Sequence, residues 1–184
     1  MQTITPAVVL LTVCLAAAGA PERPVFVVAP TSLNNLSANT KDSVDSAAVG
    51  VLTREAESRL VACGYQVVHA DSVSGAATAP ASSYWYDHPD AAAMWGAAHH
   101  ADWVLVGRLN RIGRWEADWE VQVVSAAQGR AVDLRAIELK GFGTDSALTA
   151  RLATRGAAWL VDQVTQSVAR ATSGGATNPR PCHA

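Results

Sequence analysis

The residue types best suited to chemistry fall within one stretch, YWYDHPDAAAMWGAAHHADW, residues 84–103. His88, His99 and His100, with Asp87, Asp90 and Asp102, offer the nitrogen and oxygen donors that zinc or copper takes. Their spacing works against a shared ion. His99 and His100 are adjacent, so on a helix they diverge by about 100 degrees. His88 and His99 bracket a helix about 15 Å long at its rise of about 1.5 Å per residue. The simpler expectation is that His88 and Asp87 cap a helix start, and that His99 or His100 sits at its C-terminal, partially negative end. These three histidines are kept as a metal-binding or small-molecule-binding alternative.

The aromatic triplet Tyr84, Trp85 and Tyr86 has a different use. It lies at the tip of a long segment, 71–88, that is rich in Ala, Ser and Gly and has no period of two or of 3.6. Rings on a long loop are buried by their own domain or by a partner, and they are the expected partner-binding residues. A catalytic assignment is weaker. Ser82, Ser83, His88 and Asp90 lie close in sequence without a G-x-S-x-G turn, so a hydrolase is the weakest reading. No phosphate-cradling glycine loop occurs, and Gly141-Phe142-Gly143 is too short to form one. No catalytic residue, metal or cofactor is expected, and the protein is expected not to be an enzyme. Lys and Arg total 14 against 16 Asp and Glu. That balance excludes the basic surface a nucleic acid needs.

The elements that must hold these residues follow from periodicity. VFVVA, 25–29, is a short apolar strand closed by Pro30, and a polar loop, TSLNNLSANTKD, follows. A helix comes next, with Leu52, Ala56 and Leu60 on its inner stripe and Gly64 ending it. YQVVH, 65–69, is a second strand. Pro89 opens an Ala-rich helix running to His99, whose small residues let it lie close on a sheet. WVLVGRL, from Trp103, is a central strand. Residues 115–124 alternate, placing Trp115, Ala117, Trp119, Val121 and Val123 inward and Glu116, Asp118 and Glu120 toward water, opposite Arg108, Arg130, Arg135 or Lys140. AVDLRAIELK forms a third meander strand with a phase change near Ala136, read as a bulge. Thr144 or Asp145 caps a final helix with Leu148, Leu152, Trp159, Leu160, Val164 and Val168 inward. The order is β-α-β-α-β-β-β-α, an α/β single domain with a mixed sheet of about five strands and the helices packed on it.

The first twenty residues, apolar from Ala7 to Ala18, read as an export signal cleaved after Ala18. The expected division is a signal at 1–18, the α/β domain at 24–171 and a loose tail at 172–184. Localisation is then periplasmic or secreted, with lipidation at Cys14 as the alternative. No transmembrane segment is expected in the mature chain. Removing the signal leaves Cys63 and Cys182, an even pair in an oxidising compartment, which leaves two alternatives: a disulfide tying the tail to the end of the first helix, or two unpaired thiols.

The segments "HADWVLVGRLNRI" and "VVSAAQGRAVD", with the His-Pro-Asp step and the closing amphipathic helix, resemble a bacterial family of secreted proteins of unknown function (2380-type) over roughly residues 25–170. More distantly the layout is similar to the TolB N-terminal domain and to the curli-secretion and penicillin-binding-protein-activator lipoproteins. This resemblance implies a non-enzymatic accessory or assembly protein of the cell envelope, acting by protein contact and associated with a quinoprotein alcohol dehydrogenase system. An exposed strand edge would add to the contact surface of the 71–88 loop. One departure stands out: His100 occupies the place of a family glycine before Ala101-Asp102-Trp103.

Overall fold

The computed structural model describes residues 23–36, 43–69, 82–113, 115–142 and 144–172. The expected signal at 1–18, the residues of the expected tail from 173 onward and most of the 71–88 loop lie outside them. Ten elements follow in order: β1 (Val25–Val28), β2 (Ser32–Asn35), α1 (Ser43–Ala62), β3 (Gln66–His69), α2 (Ser82–Asp87), α3 (Pro89–Ala98), β4 (Trp103–Arg111), β5 (Ala117–Ser125), β6 (Arg130–Glu138) and α4 (Ser146–Thr172). The expected α/β architecture with a mixed sheet is what the chain forms. Its strand order is β3-β1-β4-β5-β6, with β2 also paired to β4. β1, β2, β3 and β4 run parallel, and β5 and β6 return antiparallel.

β4 is central because nearly every residue of WVLVGRLNR is buried. Alternation sends its side chains to two cores. Trp103, Leu105 and Leu109 join Phe26, Val28, Trp119, Val121 and Val123 under α1 and α4. Val104 and Val106 join Val27 and Val124 under α2 and α3. The close seating of α3 depends on Gly96, where a Cβ would fall 2.3 Å from Val104 Cγ2. At the other end of α1, Gly64 turns the chain with φ +78° into β3, as expected of a helix-ending glycine. Asp145 caps α4 by accepting the Leu148 N–H at 2.8 Å.

Several expectations are corrected. The polar loop after Pro30 returns to the sheet: Ser32–Asn35 pair with Arg108–Arg111 along the same edge of β4 that β1 occupies earlier. Pro30 has no N–H to give a ladder, so pairing breaks there and resumes. Thr31 fills the break against Gly107, where a Cβ would lie 2.6 Å from Thr31 Oγ1. Polar Ser-Leu-Asn-Asn carries no strand pattern of its own; the edge of β4 and the Asn34 to Asn110 hydrogen bond at 3.0 Å hold it. The sheet face expected to meet water is covered in part by α2 and α3. The bulge lies at Val132, where the register shifts between Val123 and Val124, and not near Ala136. Trp103 and Trp119 are core residues, but Trp115 is 61% and Trp159 41% exposed. β5 starts only at Ala117, so Trp115 precedes the alternation that seemed to bury it. Trp159 lies beside the α4 stripe of Ala153, Gly156, Ala157 and Leu160 rather than on it.

Candidate partner-binding surface

Residues 84–86 are not a loop tip. They belong to α2, and Trp85 and Tyr86 are buried in the second core while Tyr84 remains 45% exposed. Trp85 stacks on Trp95 of α3 with ring centroids 4.4 Å apart, and Trp95 meets His99 edge-on at 5.5 Å. Tyr84 tilts over His88 at 4.2 Å. Of the expected partner-binding triplet, only Tyr84 therefore presents its ring to solvent.

The three histidines do not converge. His88 is the N-cap of α3 and His99 its C-cap. Among the described residues no group of three or more His, Cys, Asp and Glu side chains is placed to hold a metal ion. Asp102 is occupied otherwise, accepting the Val25 N–H at 2.8 Å and so fixing the start of β1. His100 stands in the left-handed region at φ 56°. Its N–H donates to Ala97 O, and the Ala101 N–H donates to Gly96 O, both at 3.0 Å, the bonding of a helix end that favours glycine at this position. His100→Gly is expected to raise stability by up to about 1 kcal/mol, since the strain of a Cβ in this region exceeds the added freedom of the unfolded chain. A urea titration checks it.

Between α2 and the sheet lies a polar cluster. Arg108 and Glu120 are directly opposed on β4 and β5, with Nη2 to Oε2 at 3.2 Å, so this part of the expected cross-strand charge pairing is present. Arg135 and Lys140 instead pair with Asp133 and Glu138 on their own segment. The Tyr86 hydroxyl donates to Glu120 Oε2 at 2.8 Å, and the Arg108 guanidinium lies 3.9 Å over the Tyr86 ring while reaching Asp87. Gln122 Nε2 donates to the Tyr86 backbone carbonyl at 3.1 Å. Burial, then the bond to Glu120 and its charge, push the Tyr86 phenol up to about 12. Burial raises the Glu120 carboxyl as well, but hydrogen bonds from Tyr86, Asn110 and Arg108 outweigh it and hold it below its ordinary value.

The cluster clamps α2 to the sheet, and its pH dependence has two limbs. Tyr86 favours its neutral form in the fold, so its contribution is complete below pH 10 and is lost as pH rises toward about 12. Glu120 favours its charged form, so its contribution is complete above the ordinary glutamate value and is lost as pH falls through the lowered one. Tyr86→Phe is expected to cost about 1.5 to 3 kcal/mol, as a bond to a charged group does, and to remove the alkaline limb. Denaturation at neutral and alkaline pH, with phenolate absorbance, tests both.

Three further exposed apolar side chains lie at the far end of the β4–β5 hairpin. Leu36 is 64%, Ile112 47% and Trp115 61% exposed. Their backbones are firmly held. The Leu36 N–H donates to Arg111 O at 2.9 Å, those of Ile112 and Gly113 both to Glu116 O at 3.1 Å, and that of Gly141 to Trp115 O at 2.7 Å. The buried Arg111 guanidinium donates to the Phe142 carbonyl, tying the hairpin to the segment before α4. A shallow cavity of about 360 Å³ lies beside Trp115, lined also by Gly113, Glu116, Lys140 and Gly141. Sequence reasoning missed this surface by counting Trp115 within a strand; the signal available was Ile112-Gly113, which places a turn just before the tryptophan.

No known family model matches the chain, and no curated protein matches it. Among solved structures the chain is similar to the PelC dodecamer from Paraburkholderia phytofirmans, at 14% identity and TM-score 0.47, covering 80% of this chain and 90% of that one. It is also similar to lipoprotein GNA1162 from Neisseria meningitidis, at 15% identity and TM-score 0.44, covering 79% and 99% of the two chains. A third likeness is to the LpoB C-terminal domain from Escherichia coli, at 12% identity and TM-score 0.36, covering 68% and 89%. At these identities and scores the likeness extends to general layout and no further.

Proposed function

We propose that this protein is an exported, non-enzymatic accessory protein of the cell envelope that works by protein contact, through the sheet end bearing Leu36, Ile112 and Trp115, with Tyr84 as a secondary contact. The observation that carries the reading is an exposed tryptophan on a braced backbone, at the same end of the sheet as the exposed Leu36 and Ile112. Such a residue loses little freedom on binding and is the type that dominates interface energies. Export is supported by Cys63, which is disulfide-bonded. We take its partner to be Cys182, the cysteine that remains once the 1–18 signal is removed. None of the described helices is long and apolar enough to cross a membrane. A quinoprotein alcohol dehydrogenase system, implied by the resemblance, is the first partner to assay.

The test is capture from an envelope fraction with the mature chain, comparing wild type with Trp115→Ala, Tyr84→Ala and an Ile112→Ser variant, each checked for unchanged circular dichroism. The expected result is a defined envelope protein retained by wild type and lost with Trp115→Ala, with affinity falling by about thirtyfold for a hot-spot tryptophan. Partners unchanged by Trp115→Ala and Ile112→Ser together would overturn the assignment of this surface.

A further inference from the structure

β6 is a nine-residue strand at the end of the sheet, and among the described residues no strand pairs with its outer edge. α4 covers one of its faces, where Arg135 Nη2 donates to Ser167 Oγ at 3.1 Å. The opposite face leaves Leu134 55% exposed, with Ala136 and Glu138 also exposed. The Leu134 N–H is not used by β5: it donates to the Asp133 carboxylate at 2.9 Å, so this amide faces the free edge. A long free edge is a template for another strand.

We propose that β6 pairs antiparallel with β6 of a second copy of this chain, about a two-fold axis at Leu134. The charge order around that residue is what selects the partner. In such a pair residues equidistant from the axis oppose each other and point to the same face. Leu134 meets Leu134 of the second copy on the face opposite α4. Asp133 meets Arg135 of the second copy on the α4 face, and symmetry repeats this pair, so two opposite-sign pairs form and no like charges are opposed. The extra residue at the bulge, Val132, shifts the register so that Ala136 opposes Ala131 of the second copy. In the single chain the Asp133 carboxylate is held by the Leu134 N–H, by Arg135 Nε at 2.8 Å and by the Ser167 hydroxyl. Dimerisation exchanges the first of these for an amide bond to the second strand, which makes the association reversible.

Sedimentation of the mature chain over a range of concentrations reads the outcome. Wild type is expected to approach twice the monomer mass. Leu134→Pro removes only an amide that β5 does not use, and it is expected to stay monomeric with unchanged circular dichroism. Asp133→Arg places like charges opposite each other and is expected to weaken the dimer by about tenfold. Adding Arg135→Asp to it restores the complementarity and the association. Should Leu134→Pro fold poorly, the single and double charge variants decide. A wild type that remains monomeric, a dimer that persists in well-folded Leu134→Pro, or a double variant no tighter than the single one would overturn the proposal.

Discussion

Trp119→Ala is expected to destabilise the protein by about 3 to 5 kcal/mol, among the largest single-residue effects in the molecule. Trp119 is 1% exposed and sits in the middle strand of the meander, opposite Leu109 on β4 and Ile137 on β6. Its ring reaches α4 where that helix has no side chain: a Cβ on Gly156 would lie 3.7 Å from Trp119 Cε3. On its other side the indole nitrogen lies 3.0 Å from where a Gly107 Cβ would be. Two glycines thus make room for one ring, and truncating that ring opens a cavity which neither neighbour can fill. For a domain of this size the loss corresponds to a fall in melting temperature of about 10 °C. Scanning calorimetry checks it, and a loss below about 1 kcal/mol would mean that α4 is not docked through this residue.

The second large effect is expected at Cys63. The cysteine lies just past the end of α1, and Arg23 Nη1 donates to its carbonyl at 3.1 Å and to that of Gly64 at 2.8 Å. This gathers the entry to β1 and the exit from α1 at one corner. Removing a native disulfide there is expected to cost about 2 to 5 kcal/mol, through the freedom restored to the unfolded chain. If Cys182 is the partner, Cys63→Ser and Cys182→Ser lower stability equally, the double variant is no worse than either, and reduction of wild type matches them. Unequal single losses, or a free thiol titrated at Cys182 in the oxidised protein, would show that the pair is different.

Much of the frame was legible because its signals are local. The unbroken apolar run of β4, the glycine after α1, the proline opening α3 and the aspartate capping α4 each act within a few residues. What escaped reading depends on partners distant in sequence. β2 is a strand because β4 offers it an edge, not because Ser-Leu-Asn-Asn prefers one. α2 is recognisable only from the core it fills, where Trp85 stacks on Trp95. The histidines drew attention by their chemistry, yet α3 holds His88 and His99 apart at its two ends. The aromatic surface expected at 84–86 is therefore represented by Tyr84, while Trp115 and Ile112 became candidates only once the hairpin turn was seen to precede Ala117. Trp159 escaped in the same way: helical spacing separates inner from outer faces, but not the flank between them.

Photo-cross-linking in intact cells most directly tests the claim that the Trp115 end of the sheet is the working surface. A photoreactive residue is placed at position 115 in one strain and at the exposed Arg155 of α4 in another. The expected result is a discrete cross-linked envelope protein from position 115, absent from position 155 and suppressed by Ile112→Ser. Equal labelling from both positions, or none from position 115 in a correctly exported protein, would contradict the account.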